Sequence, residues 1–212
     1  NRPAEKKFSW VQYKARLISP IRINNGVSFL ERFLPEFEKA EKEFGVPKEI
    51  IAAIIGIESS YGSITGRERV IDSLSTLAFD YPRRSKFFTK QLEHFLLLTR
   101  EEKLDPLVMK GSYAGAMGYG QFIPSSYRSY AIDFDDDGIR NIVTNPIDAI
   151  GSVANYLSRH GWERNATIAE ALTKNDVNSN FKTSLSLKEP DALELVSKIN
   201  LPNKKYLQIN YL

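Results

Sequence analysis

The chain contains no cysteine. A disulfide framework, a thiolate metal site and a cysteine nucleophile are therefore excluded, and no lipid-bearing cysteine stands in these residues. Long apolar runs are missing too. The longest, such as residues 50–57, fall far short of the roughly 20 residues a membrane span needs. No charged, then apolar, then small-residue leader stands at the N-terminus. The first residue is Asn1 rather than Met, which fits a targeting segment already removed. An excess of one charge sign is nearly missing as well: the net charge is +3 and the pI about 8.9. The basic clusters Lys6-Lys7, Arg83-Arg84 and Lys204-Lys205 are short. Such an excess suits an acidic polymer and gives no argument for nucleic acid. Internal repeats and low-complexity tracts are also absent.

What remains is ordinary globular material. The 212 residues are 42% hydrophobic and 26% charged, enough for one main core with a small lobe. Residues 26–44 carry Phe29, Leu30, Phe33, Leu34, Phe37 and Phe44 at helical spacing, with Pro35 as a kink or restart. Gly45 closes that segment and Pro47 opens the next helix, 47–58, which is apolar almost all round and so buried on most sides. Further helices are expected over 67–80, 84–101, 123–131 and 146–159. Between them lie a glycine-rich stretch, 111–122, and an acidic loop, 133–145. His94 and His160 read as structural. Beyond about residue 165 the pattern weakens: 176–188 alternates loosely, 189–199 looks helical, and the last dozen residues suit a strand. The class is mainly α, with one domain over 1–165 and a peripheral part over 166–212.

Glu58 is the residue of chemical interest. It comes seven, four and three positions after Ile51, Ile54 and Ile55, so the four share a helix face. A carboxyl on an apolar face loses hydration, and its pKa rises. That is the condition a general acid needs near neutral pH. Small residues and Gly62 come next, leaving room for a ligand. The competing reading is a glutamate that pairs with an arginine or caps a backbone group.

The residues around Glu58 carry a resemblance. Ile57-Glu58-Ser59-Ser60-Tyr61-Gly62 resembles the E-[ST]-x-[YFW]-G signature of lytic transglycosylases with a goose-type lysozyme-like core. Residues 110–127 (KGSYAGAMGYGQFIPSSY), 79–84 (FDYPRR) and 148–156 (DAIGSVANY) resemble the membrane-bound lytic murein transglycosylase B family. Four separated blocks in the right order, between about Trp10 and Trp162, make the match specific. The family's tyrosine-containing segment near the C-terminus, of the type RYN with a second aromatic, has no counterpart here. The resemblance implies cleavage of the β-1,4 bond between N-acetylmuramic acid and N-acetylglucosamine, without water. The muramic C6 hydroxyl attacks its own anomeric carbon and leaves a 1,6-anhydro end. Most glycosidases need two carboxylates. Here Glu58 alone would serve, first as acid and then as base. Asp72 and Asp80 stay open as acids that folding could bring near it.

By the same match, Ser112, Tyr119 and Gln121 would line the cleft. Gly115, Gly118 and Gly120 would let a sugar approach the backbone. Tyr13, Phe122 and Tyr156 would offer apolar faces or hydroxyls to sugars, with core packing as the alternative for Phe122 and Tyr156. Arg83 and Arg84 would bind carboxylates of stem peptides or the lactyl group, or else form structural pairs. In the acidic loop, Asp133, Asp135 and Asp137 stand at positions 1, 3 and 5 of an EF-hand pattern, Gly138 at 6, and the Ile139 carbonyl at 7. Position 12 is Thr144, where a bidentate Glu ordinarily stands. The family closes a longer loop with a later aspartate, and Asp148 fits that role in a loop about one residue longer than the family's. The alternative is a solvated acidic turn without metal. A structural calcium ion is expected if metal binds, and no organic cofactor. The family also implies a Gram-negative periplasm, a soluble or outer-membrane-anchored protein, glycan strands as partner and a monomer. A lysozyme-type hydrolase and a non-catalytic peptidoglycan-binding scaffold are the rival functions.

Overall fold

The computed structural model describes residues 10–166. The chain divides after Trp162 into two units, and the described helices and strands all lie in the first, Asn1–Trp162. The features anticipated over 176–188, over 189–199 and in the last dozen residues lie outside the described residues, as does nearly all of 166–212.

Helix α1 spans Trp10–Leu17 and α2 spans Pro20–Arg32. The side chain of Ser19 caps α2 by accepting from the Arg22 N–H at 3.2 Å. The segment anticipated as one helix over 26–44 is two. Phe33 leaves helical geometry (φ −117°, ψ 30°) between α2 and α3, Leu34–Phe44. Pro35 sits in the first turn of α3, where a missing N–H costs nothing, so it acts as a restart. Gly45 ends α3 in the left-handed region at φ 74°.

The nearly all-apolar helix is α4, Lys48–Ser59, which packs against α2, α3 and α8 (Pro146–Arg159). Its buried face is Ile51, Ala52, Ile55, Gly56 and Ser59. Burying an isoleucine side chain is worth roughly 1.5–3 kcal/mol. Ile51 and Ile55 join Phe37, Leu74, Phe95, Leu98, Met117 and Ile150 in one core. Strand β1, Glu68–Arg69, pairs antiparallel with β2, Lys110–Gly111. This two-residue ladder, too short to show a pattern in the sequence, delays the helix expected from 67. That helix is α5, Val70–Asp80. It packs on α6, Ser85–Glu101, which in turn meets α7, Pro124–Tyr130. No helix among the described residues is long and apolar enough to cross a membrane.

Candidate active site

Glu58 stands in the last turn of α4, one residue to the side of the buried face. Ile55 is fully buried and Ile54 half-buried, whereas Ile57 and Glu58 itself are exposed, so Glu58 stands on the solvent side of the boundary with the core. The helical phase therefore overstates its burial. Solvent reaches the side chain, yet protein atoms crowd the carboxyl enough to strip part of its hydration. Desolvation alone raises its pKa above the ordinary carboxylate value, and no neighbouring charge contributes. Among the described residues Glu58 has no ion pair and no hydrogen bond, so none of them makes it an arginine partner or a cap. Neither Asp72 nor Asp80 perturbs it. Asp72 is held by the Arg69 Nε–H at 2.6 Å.

The turn after Glu58 is unusual backbone. Ser60, Tyr61 and Gly62 are all left-handed, at φ 49°, 58° and 81°. For Ser and Tyr this costs about 1–2 kcal/mol each, and surrounding contacts must offset it. Ser59, 1% exposed, supplies several. Its Oγ accepts from the Gly62 N–H at 3.0 Å. Its one proton has two carbonyls in reach, Tyr119 at 2.7 Å and Ile55 at 3.1 Å, and the shorter is the better bond. Tyr61 donates its hydroxyl to the Arg22 carbonyl at 3.1 Å. A Cβ at Gly26 or Gly56 would overlap the Tyr61 hydroxyl. The Glu-Ser-Ser-Tyr-Gly pattern thus has a local reason at Ser59, Tyr61 and Gly62. One expectation is narrowed: where a Cβ on Gly62 would point, the space is filled by the Tyr119 ring.

The glycine-rich block is corrected in the same sense. Gly115, Gly118 and Gly120 are buried, and a Cβ on them would meet Leu74, the Ile142 carbonyl and Phe122 respectively. These glycines admit protein neighbours, and they set the path of the block. Met117 and Phe122 bridge across it. Gln121, left-handed at φ 49°, gives its amide protons to the carbonyls of Gly118 at 2.9 Å and Thr65 at 3.2 Å. Its Oε1 has no partner among the described residues and remains an acceptor. Ser112 Oγ accepts from Ala114 and Ala116 N–H groups at 3.3 and 3.1 Å, which leaves its proton to give. The Tyr119 ring stacks near Phe29 with centroids 6.2 Å apart, and its N–H bonds the Ile142 carbonyl at 3.1 Å.

The remaining predicted residues divide. Phe122 is 2% exposed and meets Tyr156 edge-on at 5.5 Å, so it is a core residue and not a sugar platform. Tyr156 is half-buried, stacked on His160 at 3.9 Å and edge-on to Tyr130 at 5.2 Å. Desolvation raises its phenol, whose oxygen has no partner among the described residues. Tyr13 is exposed on α1. Arg83 and Arg84 are exposed, and Arg84 lies over the Phe87 ring at 4.3 Å. His94 Nδ1 accepts from Arg128 at 2.7 Å, a structural role.

The acidic loop folds back on its own amides. Asp133, Asp135 and Asp148 bring one carboxylate oxygen each within 4.8 Å of one another. Asp133 accepts from the Asp137 and Gly138 N–H groups, and Asp135 from Asn145. Asp148 is fully buried and accepts from Phe134 at 2.8 Å and Asn141 at 2.7 Å. Burial raises its pKa most, opposed by those amide bonds and assisted by Asp135 and Asp133. Asp137 is not brought into this group. Its Oδ1 accepts from the Ile139 N–H at 2.8 Å, which turns it along the loop. An all-oxygen set of three clustered acids suits a hard divalent cation. Asn141 and Asn145, which organise the loop, were not singled out from the sequence. Ser59 was also missed as a tie, although its spacing of four from Ile55 and eight from Ile51 puts it on the buried face.

The family described as Transglycosylase SLT domain matches residues 1–205. The chain is 43% identical, over 203 residues, to membrane-bound lytic murein transglycosylase B of Escherichia coli (strain K12), covering 95% of this chain and 56% of that protein. It resembles the crystal structure of catenated lytic transglycosylase SltB1 from Pseudomonas aeruginosa, with a TM-score of 0.77 and 54% identity over 79% of this chain and 55% of that one. It also resembles the Escherichia coli lytic transglycosylase Slt35 in complex with calcium, with a TM-score of 0.73 and 49% identity over 75% of this chain and 51% of that one. The chain spans little more than half the length of these relatives. Its mainly helical architecture is the lysozyme-like one.

Proposed function

This chain belongs to the Transglycosylase SLT domain family, and from that premise we propose that it cuts the β-1,4 bond between N-acetylmuramic acid and N-acetylglucosamine in peptidoglycan and leaves a 1,6-anhydro end. The observation that carries this reading is the state of Glu58: a partly desolvated carboxyl at a helix end, without a partner among the described residues and without a charged neighbour to shift it. Protonated Glu58 gives its proton to the glycosidic oxygen as the bond to the muramic anomeric carbon breaks. The resulting carboxylate takes the proton of the muramic C6 hydroxyl, whose oxygen closes on that carbon. One proton leaves Glu58 and one returns, and no water is consumed.

The solitary state of Glu58 also bears on the rival functions. A retaining hydrolase holds a second carboxyl about 5–5.5 Å from the first. Such a charge would add to the rise in Glu58's pKa, and desolvation is the only cause. A scaffold has no use for an unpaired, desolvated acid. Around Glu58 we assign Gln121 Oε1 and the Ser112 hydroxyl to acetamido and hydroxyl groups. Tyr119, Tyr156 and Tyr13 take sugar faces, and Arg83 and Arg84 take the acidic substituents. The catalytic domain is 1–165, and the protein works as a monomer on glycan strands in a Gram-negative periplasm.

We assign calcium to the acidic loop, held by Asp133, Asp135 and Asp148 with the Ile139 carbonyl. Its chemistry there is charge neutralisation that pins the loop, apart from the reacting bond. The deciding experiment is the mass of the products from purified murein. Fragments one water lighter than the hydrolysis products support the proposal, and reducing ends would replace it with hydrolysis.

A further inference from the structure

Ser59 is a buried hydroxyl that the chemistry above does not use. It comes directly after the acid and opens a strained turn. From it a run of bonds leads away from the site. The Ser59 hydroxyl bonds the Tyr119 carbonyl at 2.7 Å. The Tyr119 N–H bonds the Ile142 carbonyl at 3.1 Å. The neighbouring Asn141 N–H bonds the Asp148 carboxylate at 2.7 Å. Asp148 is one of the three clustered acids.

Packing makes each joint stiff. Ile142 is 1% exposed and its N–H lies 3.3 Å from the Tyr127 hydroxyl, which donates to the Arg140 carbonyl at 2.6 Å. The Ile142 carbonyl lies so close to Gly118 that no Cβ fits between them. At the other end, the Tyr119 ring covers Gly62. A shift of residues 141–142 therefore presses on Tyr119 by both its backbone bond and Gly118, and Tyr119 is what the Ser59 hydroxyl holds.

We propose that Ser59 is a positioning residue for Glu58, and that the Tyr119–Ile142–Asn141 bonds extend its hold to the Asp148 loop, so that cation binding in the loop sets the geometry of the acid. The proposal rests on the calcium assignment above, which the chelator melt tests separately, and on Glu58 as the proton carrier only for its effect on rate. The three acids bring one oxygen each within 4.8 Å of one another, and in this proposal a cation between them draws 133–142 into place, whereas its removal lets that segment move. The Ile142–Tyr119 bond then lengthens and the turn after Glu58 loosens. Water gains access to the carboxyl, and the proton it holds is released more readily.

The test reads Glu58 itself. The full chain, labelled with carbon-13 at the glutamate carboxyls, is titrated by NMR with calcium and with chelator. Wild type and Ser59→Ala are compared, and Glu58→Gln identifies the resonance. The proposal expects chelation to move the wild-type Glu58 midpoint down towards the ordinary carboxylate value. In Ser59→Ala the midpoint is already lowered and chelation does not move it. Turnover of soluble murein fragments by Ser59→Ala falls about tenfold to a hundredfold with KM nearly unchanged, as a misplaced catalytic group predicts. Ser59→Thr, which keeps the hydroxyl, restores part of the rate. A wild-type midpoint that ignores chelation overturns the proposal, and so does an equal movement in Ser59→Ala. Because the midpoint needs no turnover, full activity in Glu58→Gln would remove the proposed function and leave this link standing.

Discussion

The end of α4 and the loop 133–148 handle acids in opposite ways. Glu58 and Asp148 both have pKa values raised first by desolvation. Among the described residues Glu58 then has nothing: no amide, no cation and no second acid. Asp148 has two backbone N–H donors and two neighbouring aspartates, which pull in opposite directions. A raised pKa is thus a property of crowding and does not by itself mark a proton carrier. Under the proposed function, what fits Glu58 to carry a proton is a carboxyl with no prior engagement among the described residues. What distinguishes a cation site is acids already fixed by amides, whose remaining repulsion a metal ion removes.

The largest expected effect breaks the first half of this contrast. Glu58→Gln should lower murein cleavage by about a thousandfold or more, near the upper part of the range for general acid–base groups. Stability should move the other way. A folded pKa raised above the unfolded value favours the fold below the unfolded pKa, and the advantage is lost as pH rises through the folded value. At pH 7 wild type therefore carries a desolvated charge that Gln lacks. Thermal melts should place Glu58→Gln above wild type at pH 7, with the gap closing below about pH 4.3, the unfolded value. A variant that melts lower at neutral pH would show that Glu58 has a stabilising partner. In the wild-type rate profile, activity should fall with rising pH through the raised Glu58 value.

Next in size is Gly62→Ala, which strikes the turn without touching the acid. The left-handed backbone at φ 81° and the Tyr119 ring both oppose a Cβ. Destabilisation of about 2–4 kcal/mol is expected from urea melts, together with lost activity. By the proposed calcium assignment, the loop answers to a cation instead. Chelator should lower the melting temperature of a calcium-loaded sample by roughly 5–10 °C when calcium stood at about a hundred times its Kd. Asp135→Asn should erase most of that difference. An unchanged melt on chelation would return the loop to a solvated acidic turn.

The two regions were unequally legible in the sequence. Helices α3 to α8 are readable from apolar spacing, with Pro35 and Gly45 bounding α3. Glu58 stood out by its place after three isoleucines and by the pattern of residues after it. Its solitude was not readable, because partners come from elsewhere in the chain. The glycines misled for a related reason. Gly62, Gly115 and Gly118 announce close approach, and periodicity cannot say whether a sugar or Tyr119, Leu74 and Ile142 does the approaching. Phe122 was ambiguous in the same way until its burial was known. In the loop, spacing names the acids but not their orientation, so Asp137 looked equal to Asp133.

Orientation, as against the count of acids, is what the smallest prediction isolates. Asp136 lies between the cluster residues in sequence, and outside the cluster in space. It is left-handed at φ 61°, and its carboxylate points to Lys39 at 3.9 Å, a largely exposed pair. Such pairs contribute about 0–1 kcal/mol. Asn tolerates the same backbone as Asp. Asp136→Asn should therefore shift the melting temperature by no more than about 2 °C. It should also leave the calcium response intact, where Asp135→Asn removes it. Both variants lose one negative charge from the same loop, so long-range attraction of a cation falls about equally in the two. If Asp136→Asn weakens the calcium response as much as Asp135→Asn does, the loop gathers cations by net charge alone. If only Asp135→Asn does, the amides that turn Asp133, Asp135 and Asp148 towards one point are what make the site.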